Sequence, residues 1–365
     1  MEYKQLDLFE KEKEILKITK PIRLIELFSG YGSQAMALKN IGANFEHYRI
    51  SEWNIPSVNM YHEIHTKDKY EPSNLSKDDA IQELLRLGVS MDGKTPLNEK
   101  NLRSKSVEWL NDVVAKFKAT NNIGSVCNAK GPDLGIIHTY IHTYVVCYSF
   151  PCQDISVAGK QKGFTKGEGT RSGLIWEVER LLNECEELPQ ILLMENVSQV
   201  HSKANMPDFQ KWLDFLESKG YSNYWKDLNA KNFGVAQNRN RCFCVSVLGD
   251  YKYEFPEEIP LTKVMKDYLE DEVDKKYYIT SEKAKLLIDK LILDGKILTD
   301  RQTDRQTDRQ TDRQTDRQTD RVGVDLCCKH AETVELCNTI KARYDAGITN
   351  FKYDNSGICE WQRFD

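Results

Sequence analysis

The sequence predicts an α/β fold, a mostly parallel sheet covered by helices, and three observations predict it. Short apolar runs alternate with helix-period segments across residues 21–250. A glycine turn directly follows the first of those runs and precedes a helical pattern, as in a nucleotide-binding βα unit. The length, 365 residues, exceeds what one core usually serves, so a large domain with a smaller companion is expected.

The elements follow in order. Met1 to Lys20 alternates charges and reads as a polar helix or arm ending at Pro21, without the apolar core of a signal peptide. Ile22 to Phe28 is the first strand, Ser29-Gly30-Tyr31-Gly32-Ser33 the turn, and Gln34 to Asn40 the first helix. Asn44 to Ser51 is the second strand and ends at Glu52-Trp53. The polar, helix-prone stretch of about 76–138, with Val107, Leu110, Val114 and Phe117 at amphipathic spacing, reads as a surface insertion. Tyr144 to Phe150, Ile191 to Met194 and Cys242 to Val247 are further strands, with a helix from Gly173 to Cys185. Beyond Asp250 the pattern changes: Pro256 and Pro260 interrupt it, a helix is expected over Ser281 to Leu293, and Thr299 to Arg321 repeats Asp-Arg-Gln-Thr. That tract has no apolar residue and cannot form a core.

Composition narrows the function classes. Hydrophobic residues at 40% and charged residues at 29% supply a sizeable core, and no run approaches the roughly 18 apolar residues of a membrane span, so a cytoplasmic protein is expected. The ten cysteines are scattered and form no Cys-x-x-Cys pair, only Cys242-x-Cys244 and Cys327-Cys328, so reduced thiols are expected and a structural zinc is not. A net charge of −5 neither advertises nor excludes nucleic acid, since a local basic groove suffices.

Four sites carry chemistry. Gly30 to Ala35 fits G-x-G-x-x-A after a strand, with Glu52 twenty positions after Gly32, which points to an adenosine-containing cofactor; a plain tight turn is the bland alternative. Trp53 offers an aromatic face for adenine, or is a core residue. Ser149-Phe150-Pro151-Cys152-Gln153 ends a strand at the edge where open α/β sheets bind ligands, making Cys152 a nucleophile candidate against the alternative of a structural thiol. Met194-Glu195-Asn196-Val197 ends another strand, where a half-buried carboxyl can keep its proton or merely cap a turn. In Gln237-Asn238-Arg239-Asn240-Arg241, two arginines at i and i+2 share a face of an extended segment and suit a phosphate or a negative intermediate, or are a surface pair.

Together, and in this order, these motifs resemble the cytosine-5 DNA methyltransferase family: its cofactor motif in Phe28-Ser29-Gly30-Tyr31-Gly32, its Pro-Cys-Gln in Pro151 to Gln153, its Glu-Asn-Val in Glu195 to Val197, and its Gln-x-Arg-x-Arg in Gln237 to Arg241. Gly169 to Leu174 and, further on, Asn338 to Tyr344 are also similar to family segments. The resemblance implies a Rossmann-like S-adenosylmethionine-dependent methyltransferase sheet over 21–250, a target-recognition region over 251–335, and a return segment over 336–365. It implies that Cys152 attacks C6 of a flipped-out cytosine in double-stranded DNA, that Glu195 holds the base, and that Arg241 with Arg239 steadies it. Phe28, Ser29, Gly30, Gly32, Glu52, Trp53 and Pro151 would line the S-adenosylmethionine site, and the glycine- and lysine-rich stretch Ile155 to Gly169 would close over the base. A monomer is implied, with a cognate restriction endonuclease as partner.

Two departures accompany the resemblance. The acidic residue that the family places at the end of its third strand has its best counterpart in Asn74, which bears no charge. No Gly-Asn-Ser motif occurs before Asp365, so the return segment is expected to be incomplete. Two other readings follow: a methyltransferase-like chain that binds DNA or cofactor without turnover, and the RNA-directed branch of the family, whose Cys-Phe-Thr motif is absent here. The repeat suggests, further, that the gene is switched by tract length, or else that the tract is a linker.

Overall fold

The computed structural model describes residues 13–155, 163–268, 282–293 and 337–338. The chain divides into two compact units, Met1–Asp227 with Arg241–Phe255, and Leu228–Asn240 with Pro256–Asp365.

The first unit is built on a six-stranded sheet. Its strands are β1 (Ile22–Leu27), β2 (Phe45–Ser51), β3 (Thr143–Tyr148), β4 (Ile191–Asn196), β5 (Tyr221–Asn229, whose last two residues group with the second unit) and β7 (Asn240–Leu248), in the order β2-β1-β3-β4-β7-β5. β1 pairs in parallel with β2 and β3, and β3 with β4. β7 runs antiparallel to β4. The fold is therefore the mostly parallel, Rossmann-like sheet that the sequence predicts. All six residues of β3 are buried, because a central strand of such a sheet is covered on both faces.

Helices α1 (Ser33–Asn40), α2 (Ile55–Tyr61), α6 (Ile175–Glu184) and α7 (Met206–Ser218) belong to this unit. α6 buries Ile175, Val178, Leu181 and Leu182, a stripe at helical spacing. It packs into a core that also holds Tyr148, Phe164 and Trp212. α2, α7 and β5 are not among the elements the sequence predicts.

The segment expected as a surface insertion is better integrated than its polarity suggests. It forms α3 (Lys77–Leu87), α4 (Glu99–Arg103) and α5 (Val107–Ala119), capped by Ser76, Asn98 and Ser106, whose side chains each accept from a first-turn N–H. Leu110, Val114 and Phe117 are buried while Val107 is 38% exposed. Leu110, Val114 and Phe117 share a second core with Ala80, Ile81 and Leu84 of α3 and with Ile55 and Val58 of α2, so the segment packs on α2 through apolar side chains. After α5 the chain returns beside β2: Ile123 N donates to Ile50 O at 2.9 Å.

In place of a polar helix, the described part of the amino-terminal arm is extended. Ile15 bridges Lys252, and Lys13 pairs with Asp250 at 2.6 Å. In the second unit, β6 (Gln237–Asn238) pairs in parallel with β8 (Cys337–Asn338), and α8 spans Glu282–Leu293. The Asp-Arg-Gln-Thr tract, the stretch 156–162 of the glycine- and lysine-rich segment and residues 339–365 lie outside the described residues.

Candidate active site

The site lies at the carboxyl edge of the sheet in the first unit, and its first half is the glycine turn. β1 ends at Leu27, and Phe28, Gly30 and Gly32 take φ of 58°, 55° and 84°, the left-handed region. For Phe28 this is a strained conformation, held by donation from its N–H to Ser51 O at 2.8 Å. A Cβ at Gly32 would lie 2.4 Å from His65 Nε2, so only glycine fits, whereas a Cβ at Gly30 would meet nothing within 4 Å. The space over Gly30 is open.

Glu52, at the end of β2, is 9% exposed and faces this turn. Its carboxylate accepts from Gly30 N at 2.9 Å and from Asn54 N at 2.8 Å. Burial raises its pKa, and these backbone bonds oppose the rise. Beside it, Ser29 Oγ is buried without a hydrogen-bond partner. A buried orphan hydroxyl, open space above Gly30 and a carboxylate with lone pairs to spare fit the hydroxyl-rich ribose and charged chain of S-adenosylmethionine. Trp53 is half-buried next to Glu52.

Behind the turn lies a relay that the sequence did not disclose. Tyr61 Oη donates to Glu26 Oε2 at 2.8 Å, and His47 Nδ1 lies 2.9 Å from the same hydroxyl. Glu26 also accepts from Ala35 N at 3.2 Å, tying β1 to the first turn of α1. Burial pushes the Glu26 carboxyl up to about 7 and the His47 imidazole down to about 4.

The second half of the site joins the ends of β3 and β4, which pair at Tyr148 and Met194. Cys152 is half-buried in the turn after β3. That turn is braced from several sides. Asn196 Nδ2 donates to Phe150 O at 2.9 Å, Ser172 Oγ donates to Pro151 O at 2.7 Å, and Asp154 accepts from Arg171 N at 2.7 Å. Arg171 Nη1 donates to Gln153 Oε1 at 2.9 Å. The Glu-Asn-Val motif thus holds the Pro-Cys-Gln motif through its asparagine, and Thr170 to Gly173 is the bracing segment. Cys147, Cys242 and Cys244 are buried thiols whose pKa burial raises, Cys244 to about 12, which removes them as nucleophile candidates.

Glu195 is found in an ion pair with Arg241, Nε to Oε1 at 3.0 Å. The reversed direction of β7 makes this contact possible, because the start of β7 meets the end of β4, with Glu195 opposite Phe243 and Asn196 opposite Cys242. Arg239 belongs to the second unit, where its N–H donates to Gln237 O at 3.0 Å and its carbonyl accepts from Ala230 N.

Asn74 does not end a strand. It is exposed in the coil before α3, where neighbouring Leu75 exchanges two hydrogen bonds with the Asn111 side chain. The place beside β2 that the family's third strand fills is taken instead by Asn121 to Gly124. Among the described residues the nearest approach to a metal-ligand set is His201, Asp227 and Cys242, with ligand atoms within 4.8 Å of one another. His201 Nε2 already pairs with Asp227 Oδ1 at 2.9 Å.

Residues 106–359 match the model of the C-5 cytosine-specific DNA methylase family. The chain belongs to that family. This DNA methylase is 36% identical over 270 residues to the Type II methyltransferase M2.ScrFI of Lactococcus lactis subsp. cremoris, covering 72% of this chain and 71% of the relative. It is 35% identical to the orphan methyltransferase M.SssI of Spiroplasma monobiae, over 71% of this chain and 67% of that one. Among solved structures, S. pombe Dnmt2 aligns at 17% identity and a TM-score of 0.45, covering 73% of the methylase and 64% of that chain. No helix among the described residues is long and apolar enough to cross a membrane.

Proposed function

We propose that this methylase transfers a methyl group from S-adenosylmethionine to C5 of cytosine in double-stranded DNA. The observation that carries the reading is that the braced turn of Cys152 and the Glu195–Arg241 pair follow the ends of adjacent strands, tied by Asn196 to Phe150 O, while the glycine turn after β1 is open. The cofactor supplies an electrophilic methyl group. Phe28, Ser29, Gly30, Gly32, Glu52, Trp53 and Pro151 bind and orient it, with Glu52 accepting from the ribose hydroxyls. Asn74, exposed and away from β2, is not part of this proposal.

The residues of the chain do the rest. The Cys152 thiolate adds to C6 of the base and makes C5 nucleophilic. Glu195 holds N3 and the exocyclic amine, and Arg241, with Arg239, steadies the base and the charge that develops on it. After C5 has gained the methyl group, a solvent base takes its proton, and the C–H electron pair re-forms the C5–C6 double bond and expels the sulfur from C6 as thiolate. C5 and C6 are closed to this attack inside a stacked duplex, so the base is flipped out. In this reading the second unit with residues 251–335 carries target recognition. The protein acts in the cytoplasm as a monomer, in restriction-modification or phage DNA protection beside a cognate endonuclease.

The test uses duplex DNA containing 5-fluorocytosine: a covalent adduct forms with the natural chain and not with Cys152→Ala. An adduct that persists in the variant overturns the assignment, and tritiated methyl transfer to RNA in place of DNA overturns the substrate.

The repeat tract carries a second proposal, a length switch. The codons GAC AGA CAG ACA spell Asp-Arg-Gln-Thr and are also a GACA array, which encodes the same tetrapeptide in rotated phase in every frame. Gain or loss of one unit leaves 299–321 nearly unchanged and shifts the frame beyond it. Mixed synonymous codons in the tract, or one tract length across many isolates, would refute the switch.

A further inference from the structure

β7 is flanked by β4 and β5, and three side chains that can ligate a metal meet near its beginning. Cys242 is the third residue of β7, Asp227 lies near the end of β5, and His201 closes the 3₁₀ turn Ser198–His201 that follows the Glu-Asn-Val motif. A thiol sulfur, a carboxylate oxygen and an imidazole nitrogen, one from each, lie within 4.8 Å of one another. His201 Nε2 and Asp227 Oδ1 are 2.9 Å apart. The His201 ring is held against Trp225, two positions before Asp227, with ring centroids 4.8 Å apart. All three ligand residues belong to the first unit.

The cluster is graded from inside to outside. Cys242 is fully buried, whereas the side chains of His201 and Asp227 are 24% and 31% exposed. A small ion can therefore enter on the imidazole and carboxylate side and meet the sulfur behind them. A tetrahedral zinc ion with nitrogen, oxygen and sulfur ligands needs donor atoms about 3.4 to 3.6 Å apart. The nitrogen and oxygen must part slightly and the sulfur must close by about 1 Å, which small side-chain torsions supply. One thiolate, one imidazole and one carboxylate suit a borderline-soft cation, while magnesium and calcium take shells of oxygen. Three protein ligands leave the fourth tetrahedral position to water, on the solvent side.

We propose that His201, Asp227 and Cys242 form a zinc site. Binding replaces the His201–Asp227 hydrogen bond and forms a zinc–sulfur bond at Cys242, whose thiol proton passes to solvent. Nothing is oxidised or reduced. The ion joins the turn after β4, the end of β5 and the start of β7. Cys242 stands opposite Asn196 and directly follows Arg241. Successive strand residues face opposite ways, so the ion lies on the Asn196 face and the Glu195–Arg241 pair on the other. The site is a clamp on the start of β7, separate from the groups assigned to methyl transfer.

The test titrates Zn2+ and Co2+ into the full chain, kept reduced with a phosphine, in competition with a chromophoric chelator. The natural chain should bind one equivalent of Zn2+ and give, with Co2+, the intense visible bands of a tetrahedral ion and a near-ultraviolet sulfur-to-cobalt band. Cys242→Ser should abolish the sulfur band. His201→Gln and Asp227→Asn should each weaken Zn2+ binding at least about 100-fold, more than the loss of an outer hydrogen-bond partner costs. Saturating Zn2+ should raise the melting temperature of the natural chain by several degrees and leave that of His201→Gln unmoved. Should Cys242→Ser fail to fold, His201→Gln, on the solvent side and still able to hydrogen-bond Asp227, decides by itself. Unchanged Zn2+ affinity in His201→Gln, a sulfur band that survives in Cys242→Ser, or Zn2+ binding to the natural chain no tighter than that of Mg2+ overturns the proposal.

Discussion

The two halves of the sheet edge are held in place by different means. At the ends of β3 and β4, the Cys152 turn is braced by Asn196, Asp154 and Ser172, residues of the motifs themselves or of a segment some twenty positions on. At the ends of β1 and β2, Glu52 is braced by Asn122, seventy residues away. Local braces travel with a motif, whereas distant ones must be delivered by the fold. The catalytic half should therefore be sensitive to its own few residues, and the cofactor half to a whole folded segment.

The largest effect that would break this comparison is at Cys152. Cys152→Ala should lower methyl transfer by about 10⁴-fold or more, the scale of losing a covalent nucleophile, while calorimetry finds cofactor binding retained. Next comes its brace. Asn196→Ala leaves Phe150 O and Val197 N without their partner and should reduce kcat about 10- to 100-fold by displacing the thiol. Cofactor KM should barely move; a change in KM with kcat intact would mean that the two halves are not separately held.

Glu52→Ala sharpens the other side. Losing a charge-assisted hydrogen bond should weaken cofactor binding by about 1.5 to 3 kcal/mol, read as KM for S-adenosylmethionine with kcat little changed. Smaller still is the pH response of the relay behind the glycine turn. Glu26, raised to about 7, makes stability fall as pH rises from about 4.5 to 7; His47, lowered to about 4, makes it rise between about 4 and 6.5. The two oppose each other in the natural chain. Glu26→Gln should leave a melting temperature that climbs by a few degrees with pH across that window, and His47→Gln one that falls; a flat profile in both variants sinks the account. The smallest effect is expected on the outer surface of the helical segment. Arg103 pairs with Asp78 and Glu99 in full solvent, so Arg103→Ala should move the melting temperature by no more than about a degree.

The same contrast governs what was legible in the sequence. β1, β3 and β4 could be read because central parallel strands are apolar runs ended by special turns, and antiparallel β7 by its own apolar run; Cys152, Glu195 and Arg241 could be read because each sits at or beside the terminus of such a run. β5, with its partly exposed pattern of Tyr, Asn, Trp and Lys, carries no such run. Asn122 is an ordinary polar residue in a polar stretch, and nothing in its neighbours marks a contact made across seventy residues. Asn74 stands for the family's third-strand acid on resemblance alone, yet pairing with β2 depends on how α3 to α5 return the chain, which spacing does not encode. The relay of Glu26, Tyr61 and His47 was hidden for the same reason: its members lie on three elements and meet only when α2 packs behind β1.

Among the strands of the six-stranded sheet, β7 runs against β4, and a strand running that way brings its first residues, rather than its last, to the edge where Glu195 lies. Arg241 is the second residue of β7, and the chain from Leu228 to Asn240 is a loop-out that must hand it back at a fixed position. Successive side chains of a strand alternate between faces, so a slide of one residue would carry Arg241 off Glu195 and turn the buried thiol of Cys242 toward the opposite side. A library of insertions and deletions across 228–240 should therefore sort into two classes, variants that absorb the change within the loop-out and keep the pair, and variants that lose it outright. Intermediate performers should be scarce, and length in this stretch should behave as a discrete rather than a graded variable.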